Sequence, residues 1–138
     1  MSTIIYPFGF AYRFIERGLF PALQITVEST VGISQSIVVD AFLDSGAEAS
    51  LFQGWIARTI GIDLFAGTRR TYASTSGNAI EARMHSLRLS HADLGSFDLT
   101  VGLSTSEITR NLLGRDFFNL IQIGFRENQQ TFFIRPNA

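Results

Sequence analysis

Alternation at period two, in short runs broken by turn residues, constrains this chain more than any other feature. Residues two apart in an extended chain share a face, so such runs fit strands that bury one side. Tyr6, Phe8, Phe10, Tyr12 and Phe14 form one stripe of this kind. Residues 22–29, after Pro21, and residues 34–44 read as two further strands joined by a turn at Val31-Gly32. Residues 68–90 read as a long hairpin whose polar tip, residues 74–78, has the Gly-Asn chemistry of tight turns. Phe97, Leu99, Val101 and Leu103 mark a strand over 96–104, and the chain closes in a hairpin turning at Glu127-Asn128. Two stretches break the pattern. Trp55, Ile56, Ile60 and Ile62 stand at roughly helical spacing, which predicts a short helix within 53–62 stopping at Gly61. Residues 115–121 suit one or two helical turns, with Asp116 near the start where a carboxylate caps well. The expected fold is mainly β, one domain, with two short helices.

Composition limits the chemistry such a domain can carry. The chain has 138 residues, enough for one core and too few for two. All eleven basic residues are Arg. Without Lys there is no Schiff-base lysine and no phosphate-loop lysine. Without Cys there is no thiol nucleophile, disulfide frame or Cys-based metal site. His85 and His91 share no metal-ligand spacing with a third residue and read as solvent-facing strand and turn residues, so neither metal nor cofactor is expected. The net charge is -1 and no basic run exceeds Arg69-Arg70, which argues against a nucleic-acid or anionic-membrane partner. No apolar run approaches the ~18 residues of a membrane span. The N-terminus lacks the basic start and apolar core of a signal peptide, so a soluble cytoplasmic protein is expected. Thirteen Phe and three Tyr imply a large aromatic core, a buried subunit interface, or both.

One apolar run ends in chemistry. In Phe42-Leu43-Asp44-Ser45-Gly46-Ala47 an acid, a hydroxyl and a glycine follow the deepest-looking strand. Asp, Ser and Gly are ordinary turn residues, and Asp-(Ser/Thr)-Gly arises by chance in roughly one chain of this length in twenty. The motif alone decides nothing. A polar-tipped hairpin follows it, however, and then Leu112-Leu113-Gly114-Arg115-Asp116. In that order and spacing the chain resembles the retropepsin-like aspartic proteases over roughly residues 22–134, and the pair of motifs is far more specific than either alone.

The resemblance implies a closed β-barrel domain over residues 22–138, preceded by an N-terminal extension, residues 1–21, that is a candidate interface strand. It implies an aspartic endopeptidase in which Asp44 is catalytic. Amide hydrolysis without metal or covalent intermediate needs a base for water and an acid for the leaving nitrogen, and two carboxyls sharing one proton supply both. The chain holds a single Asp-Ser-Gly, so the second carboxyl must come from a second copy across a two-fold axis. The expected partners are therefore a second copy of the chain, as a homodimer, and a peptide or protein substrate. By the same resemblance Ser45 and Gly46 support the active-site loop, and Ala47, Glu48 and Leu112 line the cleft. Ser76 and Gly77 lie at the tip of a flap over bound peptide, and Glu48 and Arg115 form a bracing ion pair.

Plainer readings stand beside these. Glu48 also reads as a solvated strand-end acid, Asp116 as a helix cap rather than a catalyst, and the aromatic stripe as core or interface rather than a ligand site. The hairpin at 68–90 occurs in many β proteins, so its role as a flap rests on the family. The sequence departs from the family in having Glu rather than Asp at 48, a single flap-tip Gly, and about twenty residues before the first family-like strand. In viral relatives short termini interleave to build the dimer sheet, an interface this extension would alter or replace. The rival function is a non-catalytic dimerisation or peptide-binding module on the same fold. A serine hydrolase using Ser45 fails for want of a Gly-x-Ser-x-Gly elbow.

Overall fold

The computed structural model describes residues 8–33, 35–74 and 76–137. Tyr6, Ser34 and Thr75, which belong to the stripe, the second strand and the hairpin tip read from sequence, lie outside the described residues. The first half of the chain contains β1 (Phe8–Ala11), β2 (Arg13–Ile15), β3 (Gly18–Phe20), β4 (Ala22–Ser29), β5 (Ile37–Leu43), β6 (Leu51–Phe52) and α1 (Trp55–Ile60). The second half contains β7 (Thr68–Tyr72), β8 (Ile80–His91), β9 (Gly95–Ser104), β10 (Asn111–Leu113), α2 (Arg115–Phe118), β11 (Ile121–Arg126) and β12 (Thr131–Pro136).

Six strands close into a barrel in the order β4-β5-β10-β6-β9-β8, with β8 returning to β4. The alternation seen in sequence is what fills it. Leu23, Ile25 and Val27 of β4 and Val39, Ala41 and Leu43 of β5 point inward, none more than 7% exposed. Leu87 and Leu89 of β8, Val101 and Leu103 of β9, and Phe52 complete the interior. Each such Val, Leu, Ile or Phe side chain stabilises the fold by roughly 1.5–3 kcal/mol through burial. The twelve-residue β8 is long enough to serve three neighbours. It pairs with β9 along its length, with β4 near its C-terminal end (Thr26↔Ser90 to Ser29↔Leu87), and with β7 near its start.

The helix read at 53–62 forms over Trp55–Ile60, burying Ile56, Ala57 and Ile60 against the barrel. Gly61 ends it as expected, at φ 86°, where its N–H reaches the carbonyls of Ala57 and Arg58. The second helix is shorter than its sequence suggests. It stops at Phe118, because Ile121 already pairs with Pro136 in the closing hairpin.

The N-terminal segment is woven into the fold. β1 pairs antiparallel with β12, which pairs in turn with β11, so the terminal sheet β1-β12-β11 is built within one chain. Phe8, Phe10 and Tyr12 pack towards the core, and Phe10 stacks on Phe132 at 5.2 Å. Burial, with a hydrogen bond and electrostatic repulsion from Glu127, pushes the Tyr12 phenol up to about 12. The stripe breaks after Tyr12. Phe14 is 74% exposed, because the chain turns there into a separate hairpin, β2–β3. Neither histidine is the solvent-facing residue that the sequence suggests. His85 is half-buried with Nε2 2.7 Å from the Leu64 carbonyl, and His91 lies edge-on to Phe10. No helix among the described residues is long and apolar enough to cross a membrane.

Candidate active site

The barrel's topology creates the site. β5 and β6 are consecutive strands, yet β10 lies between them, parallel to β5 and antiparallel to β6. The loop that joins β5 to β6 must therefore arch over the end of β10. That loop is Asp44 to Ser50, and the segment that β10 runs into is Gly114-Arg115-Asp116. The two motifs read from sequence meet here.

Each loop residue is held by backbone hydrogen bonds. Asp44 donates its N–H to the Leu113 carbonyl at 3.0 Å, extending the parallel pairing by one residue. Its carbonyl accepts from the Ala47 N–H at 3.1 Å, closing a turn. Its side-chain Oδ1 accepts from the Gly46 N–H at 2.9 Å, which fixes one carboxylate oxygen in an Asx-type turn. Asp44 is half-buried, and Ser45 and Gly46 are exposed beside it. A Cβ on Gly46 would stand 3.2 Å from Asp44 Oδ1, so this glycine keeps the carboxylate approachable. The Ser45 hydroxyl has no hydrogen-bond partner among the described residues and faces solvent.

Asp116 does more than cap a helix. Gly114 is the N-cap of α2, and Asp116 lies in the first turn. Its carboxylate accepts from the Ser50 N–H at 3.0 Å, the Ser50 hydroxyl at 2.7 Å and the Phe117 N–H at 2.8 Å. Ser50 is fully buried and its Oγ accepts in turn from the Gly114 N–H at 3.0 Å. The Arg115 N–H donates to the Ala47 carbonyl at 2.8 Å. Gly114 fits because it has no side chain: a Cβ there would lie 2.7 Å from the Ala47 carbonyl oxygen and 2.8 Å from the Ala49 carbonyl carbon.

These contacts correct the expected brace. Glu48 and Arg115 are both exposed, and no ion pair among the described residues joins their side chains. The loop is tied down by the Arg115 backbone and by Asp116 instead. Long acidic and basic side chains at a surface gain little from pairing, whereas a buried N–H or hydroxyl must find a partner.

The remaining residues read from sequence surround this loop. Ala47 is half-buried. Leu112 is half-buried and is the register partner of Phe42, so it shares the face that carries Phe42 and Asp44. Ser76 and Gly77 sit at the exposed tip between β7 and β8, where Gly77 has φ 85° and donates to the Ser74 carbonyl at 3.1 Å. The end of β7, just before that tip, reaches the site. The Tyr72 hydroxyl donates to the Ser50 carbonyl at 3.0 Å and lies where a Cβ on Gly102 would stand, 2.5 Å away. Burial raises the Tyr72 phenol's pKa, against a smaller opposing effect of Arg70. Sequence reasoning missed Ser50, Tyr72 and Gly102, and misjudged Asp116.

No group of three His, Asp or Glu side chains among the described residues could hold a metal ion. A model of a family described as aspartyl protease matches residues 29–117. A retropepsin-like aspartic protease from Rickettsia conorii matches in structure with a TM-score of 0.62 at 18% identity, over 92% of this chain and 89% of that one. EIAV protease, solved with the inhibitor HBY-793, matches with a TM-score of 0.50 at 16% identity, over 76% of this chain and 90% of that one. No curated protein sequence matches. The structural likeness establishes the mainly β, closed-barrel, retropepsin-like fold.

Proposed function

The chain belongs to the aspartyl protease family, and we propose that it is an endopeptidase whose active site forms between two copies. The observation that supports this reading most directly is the posture of Asp44. One carboxylate oxygen is held by the Gly46 N–H, and the residue stands on an exposed loop, where a second copy could approach. Each copy contributes one Asp44.

Two carboxyls brought together on a two-fold axis cannot both ionise, so the pair retains one proton over a range of pH. The ionised carboxylate takes a proton from a bound water as its oxygen attacks the scissile carbonyl carbon. The protonated carboxyl gives its proton to the carbonyl oxygen, forming a neutral gem-diol. Proton transfer to the nitrogen then breaks the C–N bond, releasing an amine and an acid and restoring the one-proton pair. Gly46 leaves room for the peptide backbone, Ser45 bonds across the axis, and Ala47, Glu48 and Leu112 line the cleft. Ser76 and Gly77, at the hairpin tip, close over the peptide and exclude water.

Peptide-library cleavage across a pH series, with Asp44→Asn as control, tests the proposal. Hydrolysis should follow a bell-shaped profile, lost at low pH when both carboxyls are protonated and at high pH when the shared proton is gone. Asp44→Asn should abolish hydrolysis while leaving the fold intact. Undiminished cleavage by that variant would refute the assignment.

A further inference from the structure

The proposed dimer needs an interface, and the N-terminal strand already has a partner within its own chain. In this chain β1 lies along its own β12, tied further by the Tyr12 N–H to the Gln130 carbonyl at 2.8 Å. Gly9 of β1 is keyed against Phe133, whose ring would stand 3.0 Å from a Cβ. The N-terminal strand is therefore paired within its own chain, rather than held out for exchange.

A different element lies against the strand that ends at Asp44. Phe42 and Asp44 are two apart on one strand line, so they share a face, and the β2–β3 hairpin covers that face at Phe42. Phe20 packs against Phe42 with ring centroids 5.4 Å apart. The Pro21 carbonyl, one residue on, accepts from the Leu43 N–H at 2.9 Å. Arg13 pairs with Asp40 at 2.9 Å. At the turn, Glu16 accepts from Arg110 Nε at 2.8 Å, and the Arg110 guanidinium lies 4.4 Å from the Phe42 ring centroid and 4.8 Å from that of Phe20. Four separate attachments fix this two-stranded ribbon, which on its own would be marginal in water.

Its two faces differ. Arg13, Ile15, Gly18 and Phe20 face the barrel and are half-buried. Phe14 and Leu19, register partners on the opposite face, are 74% and 42% exposed. A rigidly held aromatic-aliphatic pair, on a hairpin anchored to the strand that ends at Asp44, is an apolar surface left open among the described residues. The occupant follows from the chemistry of the site: an active centre with one carboxyl per chain is incomplete until a second copy approaches Asp44, and this hairpin is anchored on the strand that ends there. We propose that the β2–β3 hairpin is the dimer contact of this protein, with Phe14 and Leu19 of each copy buried by the other. The inference rests on the aspartic-protease reading above.

Sedimentation velocity over a dilution series tests it, with peptide hydrolysis measured on the same samples. The substitutions are Phe14→Glu and Leu19→Glu, singly and together. Val31→Glu is the control, an apolar residue 73% exposed on the loop at the far end of β4. The double variant should raise the dimer dissociation constant about thirtyfold or more, the range of an interface hot spot. Circular dichroism should be unchanged, hydrolysis should fall with dilution sooner than in wild type, and Val31→Glu should match wild type. If the double variant dimerises and cleaves as well as wild type, the hairpin is not the contact, while the protease reading stands. If wild type is dimeric, the double variant monomeric and neither cleaves peptide, the contact is supported and the protease reading fails. If wild type is monomeric yet cleaves peptide, both ideas fall.

Discussion

Removing the Asp116 carboxylate should cost this fold more than removing any of its surface acids. In Asp116→Ala the Ser50 N–H and hydroxyl lose the acceptor they share, within a residue that is fully buried. Each buried group left without a partner costs about 1–3 kcal/mol. The Ser50 hydroxyl keeps one bond, accepted from Gly114, so the sum falls near 2–4 kcal/mol rather than at the upper limit. For a chain of this length 1 kcal/mol moves the melting midpoint by roughly 3–4 °C, which gives a loss of about 6–16 °C. The comparison is Asp98→Ala, whose carboxylate bonds Arg88 at 2.8 Å on the exposed surface. Thermal melts of both variants should be run at one protein concentration, since any dimer makes the midpoint concentration-dependent. Asp116→Asn retains a carbonyl acceptor and should recover part of the loss. Equal midpoints for Asp116→Ala and Asp98→Ala would mean that Ser50 finds other partners and that the brace is illusory.

Three further outcomes follow from the same contacts. Gly114→Ala drives a Cβ into the Ala47–Ala49 backbone and should cost about 1–3 kcal/mol by overpacking, with loss of hydrolysis from displacement of the Asp44 loop; a melt and an activity assay check both. Arg115→Ala removes an exposed side chain without an ion-pair partner among the described residues, so its stability should stay within about 0.5 kcal/mol of wild type in a chemical melt. The Tyr12 phenol ionises at about 12 in the folded chain against an ordinary 10, so the stability that its protonated form contributes is complete below pH 10 and is lost as pH rises towards 12. Tyr12→Phe should therefore flatten the alkaline fall in stability, and an identical alkaline profile would show that the phenol is not the group responsible.

What could be read from sequence depended on how local its cause is. Period-two alternation encodes burial directly, so β4, β5, β8 and β9 were legible, and Gly61 announced the end of α1 because a left-handed cap needs no distant partner. The β2–β3 hairpin escaped. Its turn residues, Glu16 and Arg17, adopt φ of 53° and 64°, where Asn and Gly normally stand, so turn chemistry gave no signal. The contacts that hold it, Phe20 to Phe42 and Glu16 to Arg110, reach far along the chain. The brace between Ser50 and Asp116 hid for the same reason. Ser50 and Asp116 are 66 residues apart and each looks ordinary alone. Glu48 and Arg115 were the conspicuous charges, but the buried N–H and hydroxyl of Ser50 had the greater need of a partner, and Asp116 meets it.

A site completed by symmetry contains every residue twice, and this separates the proposed mechanism from any single-chain one. Suppose wild type and Asp44→Asn chains are mixed and allowed to exchange. If a monomer did the chemistry, activity at equal proportions would fall to about one half, in line with the wild-type fraction. If both carboxyls are needed, only pairs of two wild-type chains work, and random pairing leaves about one quarter. The curve of activity against mutant fraction is then quadratic rather than linear. It bends only if exchange is complete, so the mixture must be diluted below the dissociation constant and reconcentrated before assay. The Asn side chain keeps the size of Asp and can still accept from the Gly46 N–H through its carbonyl oxygen, so the mutant chain should pair as well as wild type. A linear curve from fully exchanged chains would place the whole of the chemistry within one copy and remove the shared proton from the account.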